Sequence, residues 1–577
     1  MHTKKAGDVL FRIKAQSLDI LLIKIFFLLT PFIFGLFYEF ASYLAQILIL
    51  AILSIKLIKT KKCKLYLNWS SLMLAVISAG YLFTCIYAVD KGMAILGFLK
   101  FTIPLTFGFL LMQYSKEETI EMMSPIPIAG AIMVMLSVLF KYIPFLPNEF
   151  YLANGRMMGF FQYSNTFALF LLIGIIYTGY CKQSKIKVII YNIVLLLGIF
   201  ISGCRTVLIL AFFNSIIMII KQKELRIYFI ALVIIAIAST IGYVAITGKV
   251  NTIGRYLTTS FFSMSLQERL LYYKDAIPLS LKHPFGLGYM GYSYMQPKIQ
   301  TGIYQATFIH NDYLQLMLDI GIIPTIFVII AIFKSLFDKE NSIMLKQILL
   351  TIALHIFIDF DLQFLYMFCI FIITLNIWSG RKYEFNINKK AVISIASVIC
   401  IVYLYFGIAS FLYHIDKNKI ASKMYPYYTQ ANIEIADEYM EKNDIKNANE
   451  YASKILNVSK ASGLAYNVKS YYYVNNGNWN LMSQNKEKNL EFNKYDMASY
   501  EEYVLMLSQA IEYYAQKDEM EKATEYIKKV AEVPSKIEQV KSSTSSISYK
   551  LKDVPKFELS ANVQNYIFKM KGVLEND

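Results

Sequence analysis

Charge is the scarce commodity in this chain. Charged residues make up only 17% of its 577 positions, against 56% hydrophobic, where soluble domains carry about 25% charged residues. That shortage excludes an ordinary cytosolic enzyme, and the high apolar content excludes a disordered chain. Arginine is scarcer still, with seven against fifty lysines. Cysteine is sparse and scattered at positions 63, 85, 181, 204, 369 and 400, with no Cys-x-x-Cys and none beyond residue 400. Zinc-ligand spacing is therefore missing, and no disulfide framework supports the C-terminal part.

The formal net charge of +16 could suggest a nucleic-acid partner, but its distribution argues against one. Residues 415–577 hold 22 Lys, no Arg and 23 Asp+Glu, a net of −1, so the whole excess lies in the hydrophobic portion. Basic residues that flank apolar runs are the mark of a membrane protein.

A span needs about 20 apolar residues to cross a hydrocarbon core about 30 Å thick. Candidate spans fall near 18–38, 41–58, 68–89, 93–113, 122–143, 164–181, 186–203, 206–221, 226–246, 307–333, 342–358, 361–379 and 391–413, thirteen in all. Alternate loops are rich in lysine: Lys56 to Lys64, Lys116, Lys182 to Lys187, Lys221 to Arg226, Lys334 to Lys346, and Arg381 to Lys390. The positive-inside bias makes these loops cytoplasmic, together with the N-terminal residues 1–17. The expected organisation is an all-α, polytopic bundle over 18–413 in the cytoplasmic membrane, with a large outer loop at 247–306. An extracytoplasmic helical domain over 414–577 follows.

That domain repeats itself. Lys442-Asn-Asp-Ile-Lys-Asn-Ala-Asn-Glu-Tyr451 resembles Lys517-Asp-Glu-Met-Glu-Lys-Ala-Thr-Glu-Tyr526, 75 residues later and near twice the tetratricopeptide period of 34. The segments suggest tetratricopeptide-like helix pairs, the alternative being a generic α-helical domain. Either would serve binding or positioning.

The opposite, outer loops hold four of the seven arginines: Arg156, Arg205, Arg255 and Arg269. Guanidinium grips phosphate oxygens through a planar fork of donors, which an ammonium lacks. Arg255 alone reads as a side chain snorkelling at the interface. Arg156 lies in Asn154-Gly-Arg-Met-Met-Gly-Phe-Phe-Gln-Tyr-Ser-Asn165, and Arg205 in the tight turn Ser202-Gly-Cys-Arg-Thr206. Arg269 opens Arg-Leu-Leu-Tyr-Tyr-Lys-Asp-Ala276, which leads into His283-Pro-Phe-Gly-Leu-Gly-Tyr-Met-Gly291. His310, with Asn311 and Asp312, stands at the outer entrance of the next span. A histidine can take a proton near neutral pH, and beside a basic phosphate clamp it forms a transferase constellation. His355-Ile-Phe-Ile-Asp-Phe-Asp361 adds ionisable groups at a span end, where they are functional candidates by default. His355 and Asp359 at i, i+4 are expected to pair on one helix face, holding the site together or touching substrate.

These residues resemble the O-antigen ligase and Wzy-type polymerase superfamily of bacterial membrane glycosyltransferases. The matching pieces are Gly155-Arg156…Gly159…Asn165, Ser202…Arg205-Thr206, Arg269…Tyr273…Ala276…His283-Pro284…Gly286…Gly288 and His310-Asn311…Leu314…Asp319…Gly321. His355 to Asp361 is similar to a signature of members with C-terminal helical repeats. Asp319 departs from the glutamate more usual there. The resemblance implies an inverting, metal-independent, GT-C-like enzyme that uses no cofactor. Its donor would be a polyprenyl-pyrophosphate-linked glycan, and its acceptor a glycan, lipid or protein hydroxyl. His310 would be the general base or would position the acceptor. Arg205 and Arg269 would bind the pyrophosphate and stabilise charge on the leaving group, with help from Arg156. By their position beside these groups, Asn311, Asp312, His355 and Asp359 are further candidate substrate contacts. Membrane lipids, and envelope assembly proteins through the C-terminal domain, would be its other partners. The competing class is a transporter or flippase for a lipid-linked glycan, for which Lys24 and Lys100 within spans could be cited. Against it, the spans show no twofold repeat and the polar residues gather at the outer ends.

Overall fold

The computed structural model describes residues 17–143, 149–152, 155–181, 184–222, 226–227, 230 and 264–576. Asn154, Lys182, Lys223, Arg255, the candidate span 226–246 beyond its first residues, and the basic N-terminal segment up to residue 16 lie outside the described residues.

Helices account for nearly all regular structure. The apolar part comprises α1 (Leu18–Leu29), α2 (Glu39–Thr60), α3 (Trp69–Thr84), α4 (Lys91–Leu111), α5 (Lys116–Met122), α6 (Ile126–Tyr142), α7 (Ser164–Tyr180), α8 (Lys185–Ser202) and α9 (Arg205–Lys221). The series continues with α10 (Met264–Lys282) and α11 (Gly291–Ile299), both within the loop 247–306, then α12 (Asp312–Ile320), α13 (Ile322–Phe337), α14 (Ile343–His355), α15 (Leu365–Thr374) and α16 (Lys389–His414). Glu39–Thr60, Lys91–Leu111, the run Lys116–Tyr142, Lys185–Ser202 and Lys389–His414 are long and apolar enough to cross a membrane, and five further apolar helices are shorter. At 1.5 Å per residue, α2 rises about 33 Å, close to the hydrocarbon thickness. Apolar side chains also cover the outside: Ile393, Ile395, Val398, Ile401 and Leu404 on α16 are exposed. A surface of this kind suits lipid rather than water.

The sole named sheet among the described residues joins distant loops. β1 (Lys62–Leu67) pairs antiparallel with β2 (Arg381–Asn386), Lys62 opposite Asn386 and Leu67 opposite Arg381. Asn68 caps α3 and donates to the Ile377 and Ser379 carbonyls at 2.7 and 2.8 Å. Trp378 donates to the Tyr114 carbonyl at 3.1 Å, and Lys116 donates to the Glu340 carbonyl. These lysine-rich loops thus share one end of the bundle, while Arg156, Arg269 and His310 meet at the other.

The apolar run 307–333, expected as one span, is two helices. The chain breaks at Gly321, whose φ is +92°, and a Cβ there would fall 2.3 Å from the Pro284 carbonyl oxygen. The same close approach explains Gly286, where a Cβ would lie 2.4 Å from the Asp319 carbonyl oxygen. Gly286-Leu-Gly-Tyr-Met-Gly291 has the glycine spacing of a dinucleotide-binding loop, but it follows a helix rather than a strand. Its first two glycines press on Asp319 and Ala88.

The C-terminal residues fold as successive antiparallel helices. α17 (Asn418–Met424) leads to the pairs α18 (Thr429–Glu441) with α19 (Ile445–Val458), α20 (Gly463–Asn475) with α21 (Trp479–Phe492), and α22 (Met497–Gln516) with α23 (Met520–Ser543). α24 (Ala561–Asn576) completes the series. The first helices of the pairs begin at Thr429, Gly463 and Met497, a step of 34 residues each time. Ala436, Ala448 and Ala452 are buried where the first pair crosses, small enough to let the helices approach. The domain rests on the arginine end of the bundle. Tyr425 donates to the Gly92 carbonyl at 2.8 Å, and Lys298 pairs with Glu491 at 2.5 Å. Ser545 donates its backbone N–H to the Thr301 carbonyl at 2.8 Å and accepts from Lys274 at 3.0 Å.

Candidate active site

The polar groups of the arginine end converge on Asp359. The chain leaves α14 at His355 and turns through residues 356–360, which carries Asp359 beyond the helix. His310 precedes α12, whose first turn is capped by the Asn311 side chain accepting from Leu314 N at 3.0 Å. Two bonds from the Asp312 N–H, to the Ile356 and Asp359 carbonyls at 2.8 and 3.1 Å, hold this cap against the 356–360 turn. The Asp312 carboxylate is buried and accepts from Leu362 N at 2.8 Å. Asn311 and Asp312 thus bond the backbone around His310.

His310 Nδ1 lies 3.2 Å from Asp359 Oδ1. The same carboxylate oxygen accepts from the Tyr163 hydroxyl at 2.6 Å, and the other accepts from Asn165 at 2.7 Å. Arg269 donates to the Ile358 carbonyl at 2.5 Å and stands 3.5 Å from Asp359 Oδ2. Tyr273, one turn along α10, donates to the His310 carbonyl at 2.5 Å. Nδ1 facing a carboxylate is the protonated nitrogen, so Nε2 carries the lone pair available as a base. The His310 side chain is 24% exposed, open enough to meet a substrate, whereas Asp359 is buried at 2%.

Arg156 donates from Nε to the Ser202 carbonyl at 2.8 Å and from its terminal nitrogen to Asn165 at 2.6 Å. It thereby joins the turn before Arg205 to the Asp359 cluster. Arg205 opens α9 directly after Cys204 and is half-buried.

His355 does not pair with Asp359. The helix that would align i with i+4 ends at His355, and the ring bonds Asp361 instead, at 2.5 Å. Thr166 donates to the other oxygen of Asp361 at 2.6 Å. Both partners are fully buried, whereas His310 is partly exposed. Lys24 and Lys100 also have partners: Lys24 pairs with Glu121 at 2.6 Å, and Lys100 donates to the Phe37 carbonyl at 2.5 Å.

Burial by itself would raise the Asp359 carboxyl. The His310 hydrogen bond and the Arg269 charge outweigh it and hold the group well below its ordinary 3.8. Burial pushes Tyr273 up to about 12 against the opposing charge of Arg269, so it remains a neutral donor. A depressed carboxylate contributes stability that is present above its unfolded pKa and lost as pH falls through the folded one. Asp359→Asn is therefore expected to lower thermal stability most between about pH 6 and 8, with the deficit shrinking below about pH 4. Unfolding of both proteins in detergent across this range checks the sign; a deficit that does not change with pH would remove ionised Asp359 from the account.

Tyr163, Asn165, Asp361 and Tyr273 carry bonds that the sequence reading assigns to no one. All four lie within the polar stretches that drew attention, so their positions were legible and their partners were not.

No curated protein matches the chain. Residues 190–329 match the family model described as O-antigen ligase, a segment that includes Arg205, Arg269 and His310 and stops short of Asp359. Over that segment the chain is similar to the O-antigen ligase family, and its long apolar helices fit a membrane-integral protein.

Proposed function

We propose that the chain transfers a glycan from a polyprenyl-pyrophosphate donor to an acceptor hydroxyl at the outer face of the cytoplasmic membrane, in the building of a cell-surface polysaccharide. The observation that carries this reading is the bond of His310 Nδ1 to a carboxylate shared with Arg269. His310 Nε2 takes the acceptor proton as the acceptor oxygen attacks the anomeric carbon. The bond from that carbon to the pyrophosphate oxygen breaks, and its electron pair leaves with the polyprenyl pyrophosphate. Arg269 and Arg205, with Arg156 beside them, meet the developing negative charge, the place where preorganised donors lower a barrier most. Asp359 holds the ring's tautomer and stabilises the imidazolium that forms. No metal or cofactor is required by this scheme.

In this reading residues 1–17 are cytoplasmic, 18–413 form the polytopic domain with its loop 247–306, and 414–577 lie outside. The lysine-rich end, gathered by β1 and β2, supports a cytoplasmic assignment for that side. The step of 34 residues between successive helix pairs supports a tetratricopeptide-like tail, suited to envelope assembly proteins or to acceptor presentation.

The test is an assay of the purified protein with a polyprenyl-pyrophosphate oligosaccharide. Release of polyprenyl pyrophosphate with a lengthened glycan would mark a polymerase, and transfer to a separate acceptor a ligase. Failure to release polyprenyl pyrophosphate with any acceptor would sink the reading.

A further inference from the structure

Beside His310 the structure has a cleft of about 450 Å³. That volume lies within the range of about 300–1,000 Å³ usual for small-molecule sites. Distant parts of the chain enclose it: residues 37–40 at the start of α2, Tyr163 before α7, the segments 289–290 and 305–308, Phe360, the last turn of α16, and Gln430 at the start of α18. The C-terminal domain thus adds Gln430 to a cleft built mainly by the bundle.

Its chemistry differs from that of the arginine cluster. Lysine and arginine are missing from its lining, and its one acidic residue is Glu39. Glu39 accepts from the Tyr289 hydroxyl at 2.6 Å, which leaves its other oxygen able to accept from a ligand. Aromatic rings cover much of the rest. Tyr38 and Phe40 lie nearly parallel, 12° apart with centroids at 6.0 Å, and Phe360 stands edge-on to His310 at 5.0 Å. At the far end His414 rests against Tyr38 and Phe40, at 4.6 and 4.8 Å between centroids.

A pyrophosphate would meet a carboxylate here and no lysine or arginine in the lining, since the nearby Lys100 is buried behind Phe37 and Tyr289 and bonds them, so the donor's anion belongs with the arginines. A neutral saccharide fits the cleft on both counts. The C–H faces of pyranose rings carry slight positive charge and pack on the electron-rich faces of aromatic rings. Their hydroxyls donate to a carboxylate and exchange hydrogen bonds with amides such as Gln305 and Gln430. A sugar so held would present a hydroxyl to the open side of His310.

We propose that this cleft is the acceptor subsite and that it takes a neutral saccharide, with Glu39, Tyr38 and Gln430 as its specificity-determining residues. The proposal rests on the transferase reading above and names the substrate class for the acceptor side of that site. It assigns the two substrates to different groups beside His310: pyrophosphate to the arginines, sugar to the aromatic and acidic cleft.

The experiment uses the full-length protein in lipid nanodiscs and two probes, a neutral N-acetylhexosamine tetrasaccharide and inorganic pyrophosphate, with binding read by saturation-transfer NMR and by calorimetry. Glu39→Gln keeps the shape of the side chain, and Gln430→Leu alters a half-buried position at the domain contact, so both variants retain the fold. Glu39→Gln is expected to weaken tetrasaccharide binding at least about tenfold, the loss of one charge-assisted hydrogen bond, and Gln430→Leu about fivefold, the loss of a neutral one, while pyrophosphate binding stays unchanged. Arg269→Ala should do the reverse. Tetrasaccharide binding that is undetectable in the unaltered protein, or that is unmoved by both cleft variants, overturns the proposal. So does a neutral probe that binds no better than a uronic-acid tetrasaccharide of equal length. These outcomes are separate from release of polyprenyl pyrophosphate, on which the transferase reading stands or falls.

Discussion

Replacing His310 with alanine is expected to lower the rate of glycan transfer by about 10²–10⁴-fold, the usual contribution of a positioned acid or base. His310 is partly exposed, and its ring bonds Asp359 and Tyr163 by one nitrogen. Its removal should leave insertion unchanged, and stability is followed alongside because buried Asp359 loses a hydrogen-bond partner. The informative measurement is single-turnover release of polyprenyl pyrophosphate at saturating donor, against pH. A base in the rate-limiting step gives a rate that rises with pH and levels off, and the alanine variant should lose that rise. Glutamine, which can hydrogen-bond but cannot take the proton, separates the two roles open to this residue. A glutamine variant as slow as alanine marks His310 as the base; recovery of most of the rate marks it as a group that positions the acceptor.

The second large effect is expected at Arg269. Arg269→Ala removes a donor array from the leaving group and should cost about 10²–10³-fold in transfer, as the loss of a preorganised oxyanion donor does. It also leaves the buried Asp359 without its cation, so stability must be followed alongside. Arg269→Lys discriminates between these effects. An ammonium can neutralise Asp359, but it cannot bond the Ile358 carbonyl, Asp359 and a phosphate through one planar fork. The lysine variant is therefore expected to recover stability and to recover little of the rate. Full activity with lysine would mean that the residue supplies charge alone, and would move the pyrophosphate contact to Arg205 and Arg156.

Much of the fold was legible because lipid-facing and buried helices both demand long apolar runs, and such runs survive as hydropathy. Glu39–Thr60 and Lys389–His414 sit within a few residues of their expected limits. The break inside 307–333 was not legible by that route. Its sequence stays apolar across Gly321, and what divides it is the backbone of Pro284 and Phe285 pressing on the glycine from a loop far back in the chain. The site divides in the same way. Arg156, Arg269 and His310 betray themselves as polar groups where polarity is costly, yet the hub they share, Asp359, was assigned the wrong histidine. Periodicity can align residues four apart only while the helix lasts, and this helix ends at His355. The contacts of Asn165 and Tyr163 with Asp359 join chain segments nearly two hundred residues apart, and no local pattern encodes them. The 34-residue step of the tail was half visible: two of its three pairs shared a motif, and the middle pair had diverged from it.

The pairing of β1 with β2 bears on how the protein is made. During synthesis β1 emerges early and β2 only after most of the bundle has been threaded, so for that time β1 has an edge with open hydrogen-bonding groups, the kind that recruits foreign strands. Its lysines, Lys62 and Lys64, are the residues that natural edge strands use to discourage such pairing. A ladder between partners so remote in the chain closes late, because the entropy of the long loop must be met first. Chains halted before Arg381 would therefore keep that edge open and leave α2 without α16 beside it, a state for membrane quality control to find.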